Sequence, residues 1–571
     1  MSDTAVSQSD RTTEQVSDER DKKLIKELNK RQDIAEEIRA PYDLVWNDID
    51  DYILPRRSVY DIGSRKGKEK GAKLGALIFD GTGGAALTDL ADGIQGQTAS
   101  PLITWAVPRW RSPLARKDRM ALTWMDEIHE TIMYEMKRSN FYEQLNEGYN
   151  DAVTYGPATM RQPVWDEANS KLVYMSHHPR EIFYFTNSSG QINIWHRKYP
   201  ITARQIVDDF PDAKFTPKFK KQLEDKPHRE YNCIHAIFPR TERDVSKLNV
   251  TNKLWASIYF LPKENVLLSE GGFDRKPLDT WRYRVNTNEI YPRSPAIDAI
   301  FDIQMTNSMA MSMFQSAQLA VQPPFLATEG LKGRIKLKPH GITWKQFAGD
   351  TIEPIKYSTQ YAIGVDQINK LRAELRDRLK ANTFSLLASL DKVFSATQTI
   401  EMAGEKAAIL APMCTRNQAE CLVPQLNGTF AVLARAGRLP TPPSSIAQYM
   451  NSPVDWEFLG PIAVTARRYL QLQPIDTALP KINSMIDAGT FPEMRFILDP
   501  IELGIYILES SGVPQKLLRD RKMIAQLIAN EAKQKQQQYA LGAAQVAAES
   551  YSKGTAAPEK GSLAETAVGR K

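Results

Sequence analysis

Residues 295–320 read PAIDAIFDIQMTNSMAMSMFQSAQLA, and residues 365–389 read VDQINKLRAELRDRLKANTFSLLAS. In the first stretch Ile297, Phe301, Met305, Met309 and Met313 recur four apart. In the second, Val365, Ile368, Leu371, Leu375, Leu379, Leu386 and Leu390 form a narrow seam. Both spacings predict long amphipathic helices, each on the order of 38 Å at the α-helical rise. Pro323-Pro324 stops the first, and the 322–363 segment between them is rich in Pro, Gly and Lys with short β-like pieces. Two long helices bracketing a compact insertion suit a wall whose tip reaches a partner better than they suit an enzyme pocket. The seam offers one face to the chain itself and one to a neighbour, and a heterologous contact repeated by rotation closes a ring.

The surroundings of this hairpin read as a large α+β body. Residues 1–20 are Ser, Thr, Asp and Glu rich and are expected to form a disordered arm. A helix follows over 21–51, broken at Pro55, with further helical periodicity over 82–94 and 122–150. From Thr159 the period falls toward two. Segments 159–165 and 171–176 flank Asp166-Glu167-Ala168-Asn169, and 182–186 and 192–199 flank Asn187-Ser188-Ser189-Gly190, so two hairpins are predicted. Strands are also expected over 231–238, 255–261, 266–270 and 280–285. Beyond the second long helix, a helix over 397–437 is disturbed at Pro412 and Pro424. A Pro/Ser loop covers 440–453, and a Gln/Ala-rich helix covers 515–549.

Bulk composition bounds the function. The chain has 571 residues, 42% hydrophobic and 25% charged, an ordinary globular balance of several domains. A net charge of +6 is not that of a strongly basic nucleic-acid binder, though a local ring of lysines would not register in the total. Cys233, Cys414 and Cys421 give no disulfide framework or zinc spacing, which fits a reducing compartment. The polar N-terminus lacks a signal-peptide core, and no apolar run reaches the roughly 18 residues of a membrane span.

Motifs for covalent chemistry are missing. There is no G-x-x-x-x-G-K-[ST] phosphate cradle, no G-x-S-x-G and no H-E-x-x-H. Gly81-Thr82-Gly83-Gly84 resembles a phosphate loop only in its glycines; a helix-capping turn is the plainer reading, although a helix N-terminus there could hold an anion. His177 and His178 are adjacent, so in a strand they point to opposite faces and do not share a metal. Met305, Met309, Met311 and Met313 read as adaptable packing. The chain is therefore expected to be no enzyme and to need neither cofactor nor metal. Between Gly63 and Gly75, Arg65, Lys66, Lys68, Lys70 and Lys73 face a single Glu69; a solvated loop and a DNA or partner contact both fit.

An ordered series of landmarks then resembles the podovirus-type bacteriophage head-to-tail connector (portal) family. It comprises Ile53-Leu54-Pro55-Arg56, Phe79-Asp80-Gly81-Thr82-Gly83 with Ala85-Ala86 and Leu90-Ala91, Ser100-Pro101 with Trp105, and Tyr155-Gly156. It continues with Trp281-Arg282, Tyr291 to Ala296, Ala320 to Phe325, Ser395-Ala396-Thr397-Gln398-Thr399 and Gly437-Arg438-Leu439-Pro440. Pro292 and Gln398 depart from the family's usual Gly and Glu. The resemblance spans about residues 25 to 530.

It implies a predominantly helical α+β ring subunit with a wing (21–293), a first stem helix (294–321), a clip (322–364), a second stem helix (365–389), a tunnel loop (390–396), a long helix returning to the wing (397–495), crown helices (496–549) and a flexible tail (550–571). The implied assembly is a dodecamer at the capsid's portal vertex, made in the host bacterial cytoplasm. The implied partners are double-stranded DNA, the terminase large subunit, a tail adaptor, major capsid and scaffolding proteins, and internal core or ejection proteins, with no membrane. Lys392 and Ser395 are then candidates for the channel. Lys332, Arg334, Lys336 and Lys338 are candidates for DNA or an acidic partner at the clip, or else a solvated strand face. A tail or internal core component and a metal-dependent nuclease are the alternatives.

Overall fold

A computed structural model describes residues 8–54, 78–244, 246–247, 249–332, 347–355, 361–381, 410–450, 452–461, 463–464, 473–487, 499–510, 519 and 521–553. The fold is α+β and predominantly helical. The chain divides into two units: Met1–Val107, Ile128–Pro440 and Trp456–Leu470 form the first, and Pro108–Glu127, Thr441–Asp455 and Gln471–Lys571 form the second.

The first unit is built on two antiparallel sheets. β2 (Pro157–Asp166) lies between β3 (Lys171–His177) and β9 (Leu278–Arg282). The larger sheet runs in order β4 (Ile182–Thr186), β5 (Ile192–Thr202), β6 (Glu230–Pro239), β7 (Trp255–Leu261) and β8 (Val266–Phe273). Both expected hairpins form, as β2–β3 with Asp166↔Lys171 and β4–β5 with Thr186↔Ile192. Their turns carry left-handed residues, Ser170 at φ 47° and Gly190 at φ 73°. The alternation that marks these strands sends Ile234, Ala236, Ile258 and Phe260 to one face, where Ile25 and Leu28 of helix α1 (Gln8–Tyr52) cover them. Cys233, Tyr231 and Leu261 face the other way, under α5 (Ala203–Asp209) and α6 (Pro217–Asp225). The strand periodicity left these two short helices unmarked; Thr202 and Thr216 cap them.

Helix α1 begins at Gln8, inside the 1–20 segment expected as an arm, whose first seven residues lie outside the described residues. Once the apolar face of 24–38 nucleates a helix, adding upstream residues of ordinary propensity costs little. The periodic stretch 122–150 is two helices, α3 (Arg119–Arg138) and α4 (Phe141–Tyr155), separated at Ser139-Asn140. The expected helix at 82–94 is α2 (Thr82–Thr98).

The first long helix is α7 (Pro295–Val321), close to its expected limits. The second, α8 (Tyr361–Arg378), ends well short of Ser389. Lys380 takes φ 57°, the Lys380 N–H donates to Asp377 O and the Ala381 N–H to Arg376 O, a left-handed C-terminal turn. Leu386 and Leu390 continue the apolar spacing but lie outside the described residues. Periodicity cannot reveal such a turn when lysine rather than glycine occupies it.

Around Pro412 and Pro424 the helix does not break. A wide turn at Gln418–Leu422 precedes α9 (Val423–Arg435). It removes the clash between the Pro424 ring and the carbonyl four residues before it. It also turns Glu420 toward β9, where its carboxylate accepts from Arg282 Nη2 at 2.6 Å and from the Arg282 backbone N–H at 2.9 Å.

In the second unit Trp110 stacks on Trp124 at 5.9 Å and Arg111 bridges Asp455 at 2.6 Å. It also holds α10 (Gln473–Asp487), α11 (Pro500–Ser510) and α12 (Arg521–Lys553). The last helix therefore runs past the expected boundary at 549. No described helix is long and apolar enough to cross a membrane.

Candidate functional site

The helix pair α7–α8 leaves a long face exposed beside a buried one. Ser294 starts α7: its hydroxyl accepts from Ile297 N–H at 3.0 Å and donates to Thr154 O at 2.7 Å, and Pro295 follows at the first helical position. Two seams then run down opposite sides. Ala299, Ile303, Thr306 and Ala310 are buried, and Met313 and Ala317 continue their row half-buried. Phe301, Met305, Ser308, Ser312, Gln315 and Leu319 are all exposed. Each row steps by four and three residues, the 3.5-residue period of a helix-pairing stripe.

The first row meets α2 at Ile303, beside Gly83, and α8 at Met313, where Gly364 lies against the ends of the Met313 and Met309 side chains. Among the described residues the second row is left uncovered, and Phe301 is 78% exposed. The four-apart row read in the sequence thus winds from one face to the other. Met309 and Met313 serve packing, whereas Met305 and Met311 face outward.

Charge fastens α8 from the inside. Arg372 Nε donates to Asp80 Oδ2 at 2.8 Å, Arg376 Nη2 to Asp89 Oδ2 at 3.0 Å, and Arg378 to Asp302. Helix α8 exposes Asp366, Gln367, Asn369, Lys370, Ala373, Glu374, Asp377 and Arg378, with Lys380 exposed just beyond its end.

The insertion is stapled at its base. β10 (Phe325–Ala327) pairs antiparallel with β11 (Ile352–Pro354), and Ile355 N–H donates to Pro324 O at 2.8 Å. Buried Asp350 accepts from Phe347 N–H at 2.9 Å and from Thr328 Oγ1 at 3.1 Å. Lys332 is exposed beside this base. Arg334, Lys336 and Lys338 lie outside the described residues, as do Lys392, Ser395 and the basic cluster Arg65, Lys66, Lys68, Lys70 and Lys73.

The glycine turn before α2 is a capping turn. Asp80 Oδ1 accepts from Thr82 N–H at 2.9 Å, so the chain supplies its own anion to that helix end. Burial alone would raise the Asp80 carboxyl, but the hydrogen bonds from Thr82 and Arg372 outweigh it and hold the group below its usual range. Among the described residues no group of three or more His, Cys, Asp or Glu is placed to hold a metal. His177 ends β3 and His178 caps the short turn after it.

Other landmarks converge on the core rather than on a pocket. Tyr291 lies 4.5 Å from Tyr184, 5.2 Å from Tyr42 and 6.1 Å from Trp46, and Trp46 lies 5.6 Å from Tyr155, all as ring centroids. Gly156, at φ 107°, sits where a Cβ would meet Pro292 O at 2.6 Å. Gly156→Ala is therefore expected to cost about 2 kcal/mol, from a disfavoured backbone and an overpacked contact. Thermal unfolding of the variant measures this, and an unchanged midpoint would contradict it.

The profile of the bacteriophage head-to-tail connecting proteins matches residues 25–518. The chain belongs to that family. Among connector relatives, the probable portal protein of Bordetella phage BPP-1 is 25% identical over 502 residues, covering 86% of this chain and 88% of its own. The portal protein of Salmonella phage epsilon15 is 24% identical over 521 residues, covering 90% and 92%. A chain from the neck of an empty GTA particle aligns at TM-score 0.34 and 11% identity, covering 69% and 87%, too loosely to carry argument.

Proposed function

We propose that this connector is the portal subunit of a short-tailed phage, a homo-oligomeric ring, dodecameric by family resemblance, through which double-stranded DNA enters and leaves the capsid. The carrying observation is the second seam of α7. It is exposed over the length of the helix, lies opposite the seam that α8 fills, and repeats with the period of helix pairing. A neighbouring copy is the occupant that a closed ring supplies.

Several features support the rest of the reading. The outward face of α8 carries no excess of positive charge, because its arginines are paired with Asp80, Asp89 and Asp302. A conduit should repel rather than grip phosphate, since each neutralised phosphate adds salt-dependent affinity. Lys392 and Ser395 would supply weak contacts in the channel. Lys332, Arg334, Lys336 and Lys338 at the insertion would meet the terminase motor and then the tail adaptor, and the 65–73 cluster would meet DNA or a partner. Capsid, scaffolding and internal core proteins complete the proposed partners at the portal vertex. Nucleotide hydrolysis falls to the motor, so the purified chain is expected to lack it.

The test is electron microscopy with sedimentation analysis of the wild type and of Phe301→Glu/Met305→Glu. The wild type is expected as rings with a central hole, and the variant as monomers with unchanged circular dichroism. Rings formed equally well by the variant would remove the seam from the interface, and a wild type without rings would sink the portal reading.

A further inference from the structure

We propose that Asp80 is the positioning residue of helix α8, acting through Arg372 as an ionic latch that docks the helix independently of the surrounding fold. Three segments meet at this carboxylate. Its Oδ1 takes the first N–H of α2, and its Oδ2 takes Arg372 Nε. Its backbone is held from α7, where the buried Asn307 carboxamide oxygen accepts from Phe79 N–H at 2.6 Å and Asp80 N–H at 3.0 Å. Gly83 lets the same turn close on α7, since a Cβ there would stand 3.2 Å from Ile303.

Helix α8 needs such a fastening. It has 18 residues, near the length at which an isolated helix is marginal in water. Among its described side chains only Ile368 and Leu375 are buried, with Leu379 just past its end. The other two ionic ties are open to solvent: Asp89 is 53% exposed, and Arg378 is 56% exposed against Asp302 at 31%. Exposed pairs contribute little and are screened by salt. Asp80 differs on the acid side: its side chain is only 3% exposed, although Arg372 is 43% exposed. Losing Arg372 would leave a desolvated carboxylate, and losing the Asp80 charge would leave Arg372 without its acceptor. The latch therefore sets where α8 lies against α2 and α7, and with it the direction of its outer face. The inference rests on contacts within one chain and does not require the ring.

Hydrogen exchange of the full-length protein tests it, comparing amides of α8 with those of β6 and β7 in Asp80→Asn, Arg372→Gln and the double variant. Asparagine keeps an oxygen to cap Thr82, so the turn survives while the charge is lost. Exchange across Ile368–Leu379 is expected to rise at least tenfold in each single variant and by no more in the double, with β6 and β7 unchanged. Unchanged α8 exchange, equal acceleration everywhere, or a double effect equal to the product of the singles would each overturn the proposal.

Discussion

Arg180→Ala is expected to destabilise the first unit by about 3–5 kcal/mol, the range for breaking a buried ion pair from one side. Arg180 Nη2 donates to Asp50 Oδ2 at 2.5 Å, and the two side chains are 7% and 1% exposed. Tyr155 Oη donates to the other carboxylate oxygen at 2.6 Å. Arg39, whose guanidinium lies 3.5 Å over the Phe183 ring, donates to Arg180 O at 2.9 Å. Asp50 and Arg39 belong to α1, so this cluster clamps the end of that helix to the sheet. Removing the guanidinium strands Asp50 in a region too dry to solvate it. Arg180→Met/Asp50→Asn removes both charges and should recover most of the loss, because the cost lies in the orphaned charge. Denaturant midpoints of the three variants decide it, and a single variant within about 1 kcal/mol of wild type would mean that water reaches Asp50.

Acid is expected to loosen the same unit well above the pH at which carboxylates titrate. His177, His196 and His235 are buried between or beside the two sheets. Burial, reinforced by Arg197, Arg161 and the neighbouring histidine, pushes His235 down to about 3. Burial and Arg31 push His196 to about 4. Burial with Arg197 and Arg161 holds His177 well below its ordinary value. The groups facing them offer little relief. Glu181 is engaged by Arg197 at 2.9 Å, Tyr259 stacks on His235 at 3.8 Å, and Ser257 and Gln32 are neutral partners of His235 and His196.

The folded state thus binds fewer protons than the unfolded chain, whose histidines titrate near 6.5. Stability is complete above that value and falls as pH drops from 6.5 toward 4 and 3. By pH 5 His196 and His235 each cost about 2 kcal/mol, and His177 acts in the same direction. Asp279 acts oppositely: burial raises it to about 7 despite Lys276 and the two glutamines, Gln162 and Gln425. It returns about 2 kcal/mol over the same interval, so His196, His235 and Asp279 together leave a net loss of about 2 kcal/mol, which His177 deepens. Opening free energies of β6 and β7 amides at pH 7 and pH 5 measure this. His235→Gln should flatten the dependence by about 2 kcal/mol, and equal values at the two pH values would show that the histidines charge freely in the fold.

Much of this architecture was legible along the chain. The β7 limits, the two hairpins and the start of α7 follow from alternation, turn residues and the Ser294-Pro295 cap, all local signals that tertiary packing did not override. The α8 end was not legible, because a lysine took the left-handed position that glycine usually marks. The proline-bearing helix was read as disturbed at Pro424, and the disturbance takes the form of a wide turn just before it, a form that proline alone does not specify. The candidate site divides the same way. The helix pair and its insertion could be read, whereas the Asp80 latch could not, since its partners stand 292 residues apart and Arg372 is one of many arginines in a solvated-looking helix.

By itself the sequence determined that two long helices flank an insertion, that the strands alternate, and that the ordered landmarks of a head-to-tail connector are present. Only the tertiary structure decided which side of α7 is inside. That helix carries apolar residues on both sides, Ile300 and Ile303 on one and Phe301 and Met305 on the other, with polar residues among both. Periodicity measures contrast between faces, and without contrast it cannot choose. The choice came from α8, whose Gly364 and arginines fit one face and leave the opposite seam open.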